Sequence, residues 1–169
     1  MPDQLNAILL AQFEAALCML RDCIERCPPQ HWDAPIAKYP FFLVAYHTLY
    51  MADIRLAPSD AAWNPRPEFH PRGRAEVDDE YPSRRFTQAE LLAYTDLCLS
   101  LARAAIPAES AATLAGPSGF PRLEFSRAEL HIHSTRHIQH HTGQLGASLR
   151  RVGVDTAWVF SGWRESPRR

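Results

Sequence analysis

Lysine is almost absent from this chain. Lys38 is the only one in 169 residues, so Schiff-base chemistry has little to work with. No Gly-rich loop with a lysine is present to cradle phosphates, and no GxSxG elbow marks a serine hydrolase. The four cysteines, Cys18, Cys23, Cys27 and Cys98, form no CxxC pair. No apolar run approaches the ~20 residues of a membrane span. The start, Met-Pro-Asp-Gln, lacks the basic-then-apolar pattern of a secretory leader. The expectation is therefore a cytoplasmic protein with reduced thiols, Cys18 and Cys98 packing as small hydrophobes. The formal charge is −1 with histidines neutral, and no basic stripe appears. Nucleic acid and membrane are thus not expected partners. The end, Arg164 to Arg169, reads as a solvated tail.

Hydrophobic residues make up 46% and charged residues 22%, which suits one globular domain spanning residues 1–169. Strand signals are weak, and four long helical segments stand out. The first runs from about Gln4 to Arg26, with Asp3 placed to cap it. Leu5, Leu9, Phe13, Leu17, Leu20 and Ile24 recur at helical spacing, and Pro28 and Pro29 end it. The second runs from about Pro40 to Leu56, with Leu43, His47, Tyr50 and Ile54 on one face. The third opens at a capping box, Thr87-Gln-Ala-Glu90, and carries the stripe Leu91, Tyr94, Cys98, Leu101 and Ala105 before Pro107 stops it. The fourth opens at a second capping box, Ser126-Arg-Ala-Glu129, and runs to about Val152, with Gly153 as the C-cap. The aromatic tail, Val154 to Trp163, is expected to fold back on the helices.

Between the second and third helices lies a long irregular stretch, Ala57 to Phe86. It is rich in proline and holds the acidic run Asp78-Asp79-Glu80. A loop of this length is ordinarily a lid or covering segment. Trp63, Phe69 and Tyr81 within it are expected to leave water.

Five of the eight histidines fall between His131 and His141. On a helix, residues four apart share a face, so His137 and His141 lie one turn apart on the stripe of Leu130, Ser134, Leu145 and Leu149. His47 interrupts the apolar face of the second helix in the same way. A lone histidine on such a face is ordinarily a hydrogen-bonded core residue. Two apolar faces interrupted by histidines point instead to a metal, because each ring nitrogen needs a partner. Three protein ligands with a fourth position open is the catalytic zinc arrangement. His133, four residues before His137, could replace either partner. His140 points about 100° away from His141 and reads as supporting or surface. His31 and His70 lack helical context and read as loop residues. The zincin pattern His-Glu-x-x-His fails at Ile138, so the helix brings no built-in base, and the paired Glu-x-x-His of di-iron bundles is missing.

The run His137-x-x-His140-His141-x-Gly-Gln-Leu, followed by Leu149-Arg-Arg-Val-Gly153, resembles the last-helix motif of the DinB/YfiT-like superfamily of metalloenzymes (not the polymerase that shares the name). Val44-Ala-Tyr-His47-Thr-Leu resembles its second-helix histidine, and helix count and order agree over most of the chain. The resemblance implies an all-α, four-helix bundle, a homodimer, and a divalent metal on His47, His137 and His141. Zinc and nickel come first, with iron or manganese open. It also implies a small-molecule substrate and a thiol-dependent transfer using a low-molecular-weight thiol, with hydrolysis as the other metal-assisted reaction. The family pattern has Arg after the paired histidines. Here Thr142 stands there, so a role for that Arg is not carried over. Gln144 matches and could support a ligand or a bound water. Tyr50, Gln144 and one of Asp78, Asp79 or Glu80 are the candidates for proton transfer or positioning. A non-catalytic metal-binding or interaction protein is the alternative.

Overall fold

The computed structural model describes residues 2–164. The chain is mostly helical, with α1 (Pro2–Arg26), α2 (Phe41–Leu56), α3 (Gln88–Ala108), α4 (Ala111–Ala115) and α5 (Arg127–Arg151). A two-residue antiparallel pair, β1 (Pro35–Ile36) and β2 (Tyr39–Pro40), precedes α2. Each long helix packs against two others: α1 on α3 and α5, and α2 on α3 and α5.

The helix ends follow from local chemistry. In both capping boxes the Thr87 and Ser126 side chains accept from the Glu90 and Glu129 amides, and the glutamates return the contact. These satisfy donors that helix starts otherwise leave open. At the end of α5, the Gly153 amide donates to Arg150 O and the Val154 amide to Leu149 O. This is the paired closure in which a left-handed residue is needed, and Gly153 supplies φ +79°.

Several details differ from the expectations. Helix α1 starts at Pro2, one residue before Asp3, whose side chain lies outside the described residues, as does the tail beyond Arg164. Leu5 is 40% exposed rather than in the core. Pro107 sits inside the last turn of α3, which ends at Ala108. A proline there gives up one i→i−4 hydrogen bond, a loss confined to the last turn of the helix. The buried α3 residues run Leu91, Tyr94, Thr95, Cys98, Leu99, Ala102 and Ile106. Leu101 and Ala105 are only half-buried, because α3 sits between α1 and α2 and the buried face follows both. Helix α4, capped by Ser110, has too few residues to show a period. By length and composition α3 could cross a membrane, although no single apolar run suggested it. It packs instead along α1 and α2.

Phe13, Leu17, Leu20 and Ile24 of α1 meet Leu49 of α2 and Leu91 and Ile106 of α3 in the main core. Among the described cysteines none is paired, and all four are buried. The tail packs on α1 through Val159 and Trp163, and Gly162 N donates to Ala11 O. Trp158 and Phe160 of the same tail point outward. Stretch 57–86 is a cover with anchors: Trp63, His70, Glu76 and Phe86 are all buried. Phe69 stacks on Tyr94 at 4.1 Å. Tyr81, expected to leave water, is 47% exposed and only meets Tyr39 edge-on.

Candidate metal centre

Helix α2 brings His47 and Tyr50 to the side that faces α5, and α5 brings His137, His141 and Gln144. One nitrogen from each of His47, His137 and His141 lies within 4.8 Å of the other two, and all three rings are half-buried. The Nε2 atoms of His47 and His137 are 3.3 Å apart. Ring centroids are 4.6 Å apart for His137 and His141 and 5.0 Å for His47 and His141. Two nitrogens each ~2.0–2.1 Å from a tetrahedral zinc sit roughly 3.3–3.4 Å from each other. The observed spacing therefore fits a shared ion.

The far sides of two rings are held. Nδ1 of His47 meets the Tyr50 hydroxyl at 2.8 Å, and Nδ1 of His141 meets Gln144 Oε1 at 2.8 Å. A carbonyl oxygen only accepts, so His141 carries its hydrogen on Nδ1 and offers the Nε2 lone pair. Tyr50 and Gln144 thus act on the histidines, orienting them, as partners of metal-binding imidazoles do.

Electrostatics keep the rings neutral. Burial pushes the His47 pKa down to about 4, with His141 and Arg55 adding to the effect. Burial, then Arg55 and the neighbouring histidines, push His137 to about 2. Burial also lowers His141, although the Gln144 contact works the other way. Neutral imidazole is the form that binds a metal. The triad could therefore hold a divalent ion.

The remaining histidines separate cleanly. His133 stays out of the triad, and its ring lies 5.6 Å from Phe125. His140 is exposed and sits edge-on to His141. His131 is buried, and its Nε2 is 3.0 Å from Glu109 Oε2. His31 lies in a 3-10 turn, Pro29–His31. His70, expected as an ordinary loop residue, is 1% exposed. Its ring nitrogens meet the Tyr46 hydroxyl at 3.1 Å and the Tyr94 hydroxyl at 2.8 Å. Tyr94 in turn donates to Asp53 at 3.0 Å. These partners come from two helices distant in sequence, so no local pattern announced them.

A cavity of about 430 Å³ opens beside the triad, lined by His47, Tyr50, His141 and Gln144 on one side and by Lys38, Glu76, Asp79 and Glu80 on the other. The β1–β2 turn sits at its rim, where Ala37 holds φ +53°, a region that costs a non-glycine residue roughly 1–2 kcal/mol. Lys38 reaches from this turn to Glu80, which also accepts from the Tyr39 hydroxyl. Of the acidic run, Asp79 and Glu80 line the cavity but Asp78 does not. Asp79 accepts from Arg72 at 2.7 Å. Glu76, which sequence reasoning missed, accepts from Ser83 N, Ser83 Oγ and Arg72. Burial works to raise its pKa, but these hydrogen bonds outweigh it and hold the carboxyl below its ordinary value. Its sequence neighbourhood gave no sign of burial.

No protein-family model matches the chain, and no curated protein matches it either.

Proposed function

We propose that the protein is a metal-dependent enzyme of the DinB/YfiT-like type, a four-helix bundle working as a homodimer on a small molecule. The observation that carries this reading is the convergence of three neutral imidazoles at metal-binding spacing, two of which, His47 and His141, line a cavity large enough for a small substrate. His47, His137 and His141 would hold the ion, zinc or nickel first. Bound there, a divalent metal supplies Lewis-acid activation of a thiol, a water or a carbonyl. The chain's own residues do the rest. Tyr50 and Gln144 fix the ring orientations through Nδ1. Ile36, Leu43, Val44 and Pro82 give the cavity apolar walls that exclude water around a bound substrate. A thiol-dependent transfer is the reaction we place first, with hydrolysis second. The four unpaired thiols suit a reducing, cytoplasmic setting.

One observation favours the non-catalytic alternative. Glu76, Asp79 and Glu80, the acids on the cavity wall, are each engaged by Arg72, Ser83 or Lys38, so none stands free as a general base. The test is turnover by zinc- or nickel-loaded protein, with a small thiol plus an electrophilic acceptor and, separately, with small esters. Turnover lost in His137→Ala supports the enzyme. One equivalent of bound metal with no turnover above that variant supports the binding protein.

A further inference from the structure

Side chains of unlike chemistry line the cavity beside the triad, and they are sorted by depth. Leu43, Val44 and Tyr46 of α2, next to His47, are buried. Ile36, Tyr39 and Pro82, half-buried, continue the wall. Lys38, Asp79 and Glu80 are exposed, so most of the charged lining lies where the cavity meets solvent. Of the charged lining groups, Glu76 alone is buried.

These polar groups are already engaged. Lys38 pairs with Glu80, which also accepts from the Tyr39 hydroxyl at 3.0 Å. Asp79 accepts from Arg72, and Glu76 from Arg72 and Ser83. The Tyr46 hydroxyl donates to the carbonyl of Phe69 at 2.8 Å, and the Tyr50 hydroxyl meets His47 Nδ1. Gln144 Oε1 accepts from His141 Nδ1. A charged group entering the cavity would have to break one of these pairs or lie unpaired against Ile36, Leu43 and Val44. An unpaired charge beside apolar walls is costly. Apolar surface meets no such cost, because burial against those walls takes it out of water.

Size narrows the class further. At about 430 Å³ the cavity lies at the small end of ligand sites, which run roughly 300–1,000 Å³. An apolar cavity of about 150 Å³ already holds benzene.

We propose that the cavity takes a small uncharged molecule with an apolar body of one or two rings, one polar end of which lies at the histidines. The body packs on Ile36, Leu43, Val44 and Pro82, and the rim charges stay paired with one another. This class rests on the metal-dependent reading for its role in a reaction. The apolar contact itself needs no metal.

The test uses the full chain, loaded with zinc and dialysed, and the same chain freed of metal by chelation. The loaded form is titrated by calorimetry with imidazole, phenylimidazole, histamine and imidazoleacetate, buffered above the imidazole pKa. These share a metal-binding ring and differ in what it carries: nothing, an apolar ring, an ammonium or a carboxylate. Phenylimidazole should bind at least about tenfold tighter than imidazole, and neither charged derivative should gain as much. The ratio of phenylimidazole to imidazole affinity should fall toward one in Ile36→Asn or, if that variant does not fold, in Pro82→Ser. The metal-free form is titrated with benzyl alcohol and followed by saturation-transfer NMR. Its signal should be lost with the same wall substitution. No gain from the phenyl ring, a larger gain from either charge, or a gain that survives the wall substitution overturns the proposal. A protein that takes up no zinc yet binds benzyl alcohol at Ile36 would keep the class and remove the metal. One equivalent of zinc without the phenyl gain would keep the metal and remove the class.

Discussion

Helix α2 serves two histidine clusters with opposite hydrogen-bond accounting. Tyr46 and Asp53 look toward His70, whose two ring nitrogens both find hydroxyls in a dry interior. His47 and Tyr50 look toward α5, where only the far nitrogens of His47 and His141 are held and Nε2 of His47 faces Nε2 of His137. The first cluster is complete as protein. The second brings one ring nitrogen from each of His47, His137 and His141 within 4.8 Å of the other two. The difference shows that burial alone does not mark a ligand histidine. His70 is the more buried, yet it needs nothing more. What marks the triad is a set of ring nitrogens close enough to one another to share an ion.

The largest effect that would sharpen this contrast is His70→Leu. Tyr46 and Tyr94 would lose a buried partner each, and Asp53 its nearby imidazole. Urea denaturation should show a loss of about 3–5 kcal/mol, with metal uptake by the folded fraction unchanged. Equal loss of metal uptake would merge the two clusters into one functional unit.

Next in size is the stabilisation conferred by the ion. Zinc or nickel at 100 times its Kd should stabilise the wild type by about 2.7 kcal/mol, raising Tm. Chelator should reverse the rise, and His137→Ala should abolish it. A rise of the same size in that variant would move the site elsewhere.

Tyr50→Phe and Gln144→Ala should each weaken metal binding about 10–100-fold by freeing the His47 or His141 ring to turn. Competition with a coloured chelator measures this. Gln144 is exposed, so its loss should leave metal-free stability nearly unchanged. Unaltered affinity in both variants would mean the rings need no such support.

The remaining test is a pH slope. Folded His47 and His137 have pKa values pushed down to about 4 and about 2 from 6.5. The unfolded chain therefore takes up protons below about pH 6.5 that the folded chain refuses, so stability is full above that pH. It should fall as pH drops from about 6.5 toward 4, by at most about 1.4 kcal/mol per unit for each histidine. His137→Ala should flatten the slope in the metal-free protein, as denaturant midpoints across that range would show. The same slope in the variant would assign it to other groups.

The parts of this architecture that are local could be read from the sequence. Thr87 with Glu90, Ser126 with Glu129, and Gly153 each act within one helical turn, so their pattern is complete in a few residues. His137 and His141 were legible because they share a stripe with Leu145 and Leu149, and His47 because it breaks an apolar face. What could not be read depends on distant packing. His70 and Glu76 sit in an irregular stretch, and their burial is set by Tyr46, Tyr94, Ser83 and Arg72. Leu5 fits the α1 period yet lies at 40% exposure, because periodicity states which face is apolar but not how far the neighbouring helices extend. Arg55 carries no motif, and that its Nη1 is buried with no hydrogen-bond partner among the described residues is visible only in three dimensions.

The most direct measurement is elemental analysis of the full chain after incubation with zinc or nickel and dialysis, beside His47→Ala, His137→Ala and His70→Leu. The account predicts about one equivalent in the wild type and in folded His70→Leu, and none in the two triad variants. No metal in the wild type, or one equivalent retained without His47 and without His137, would contradict it.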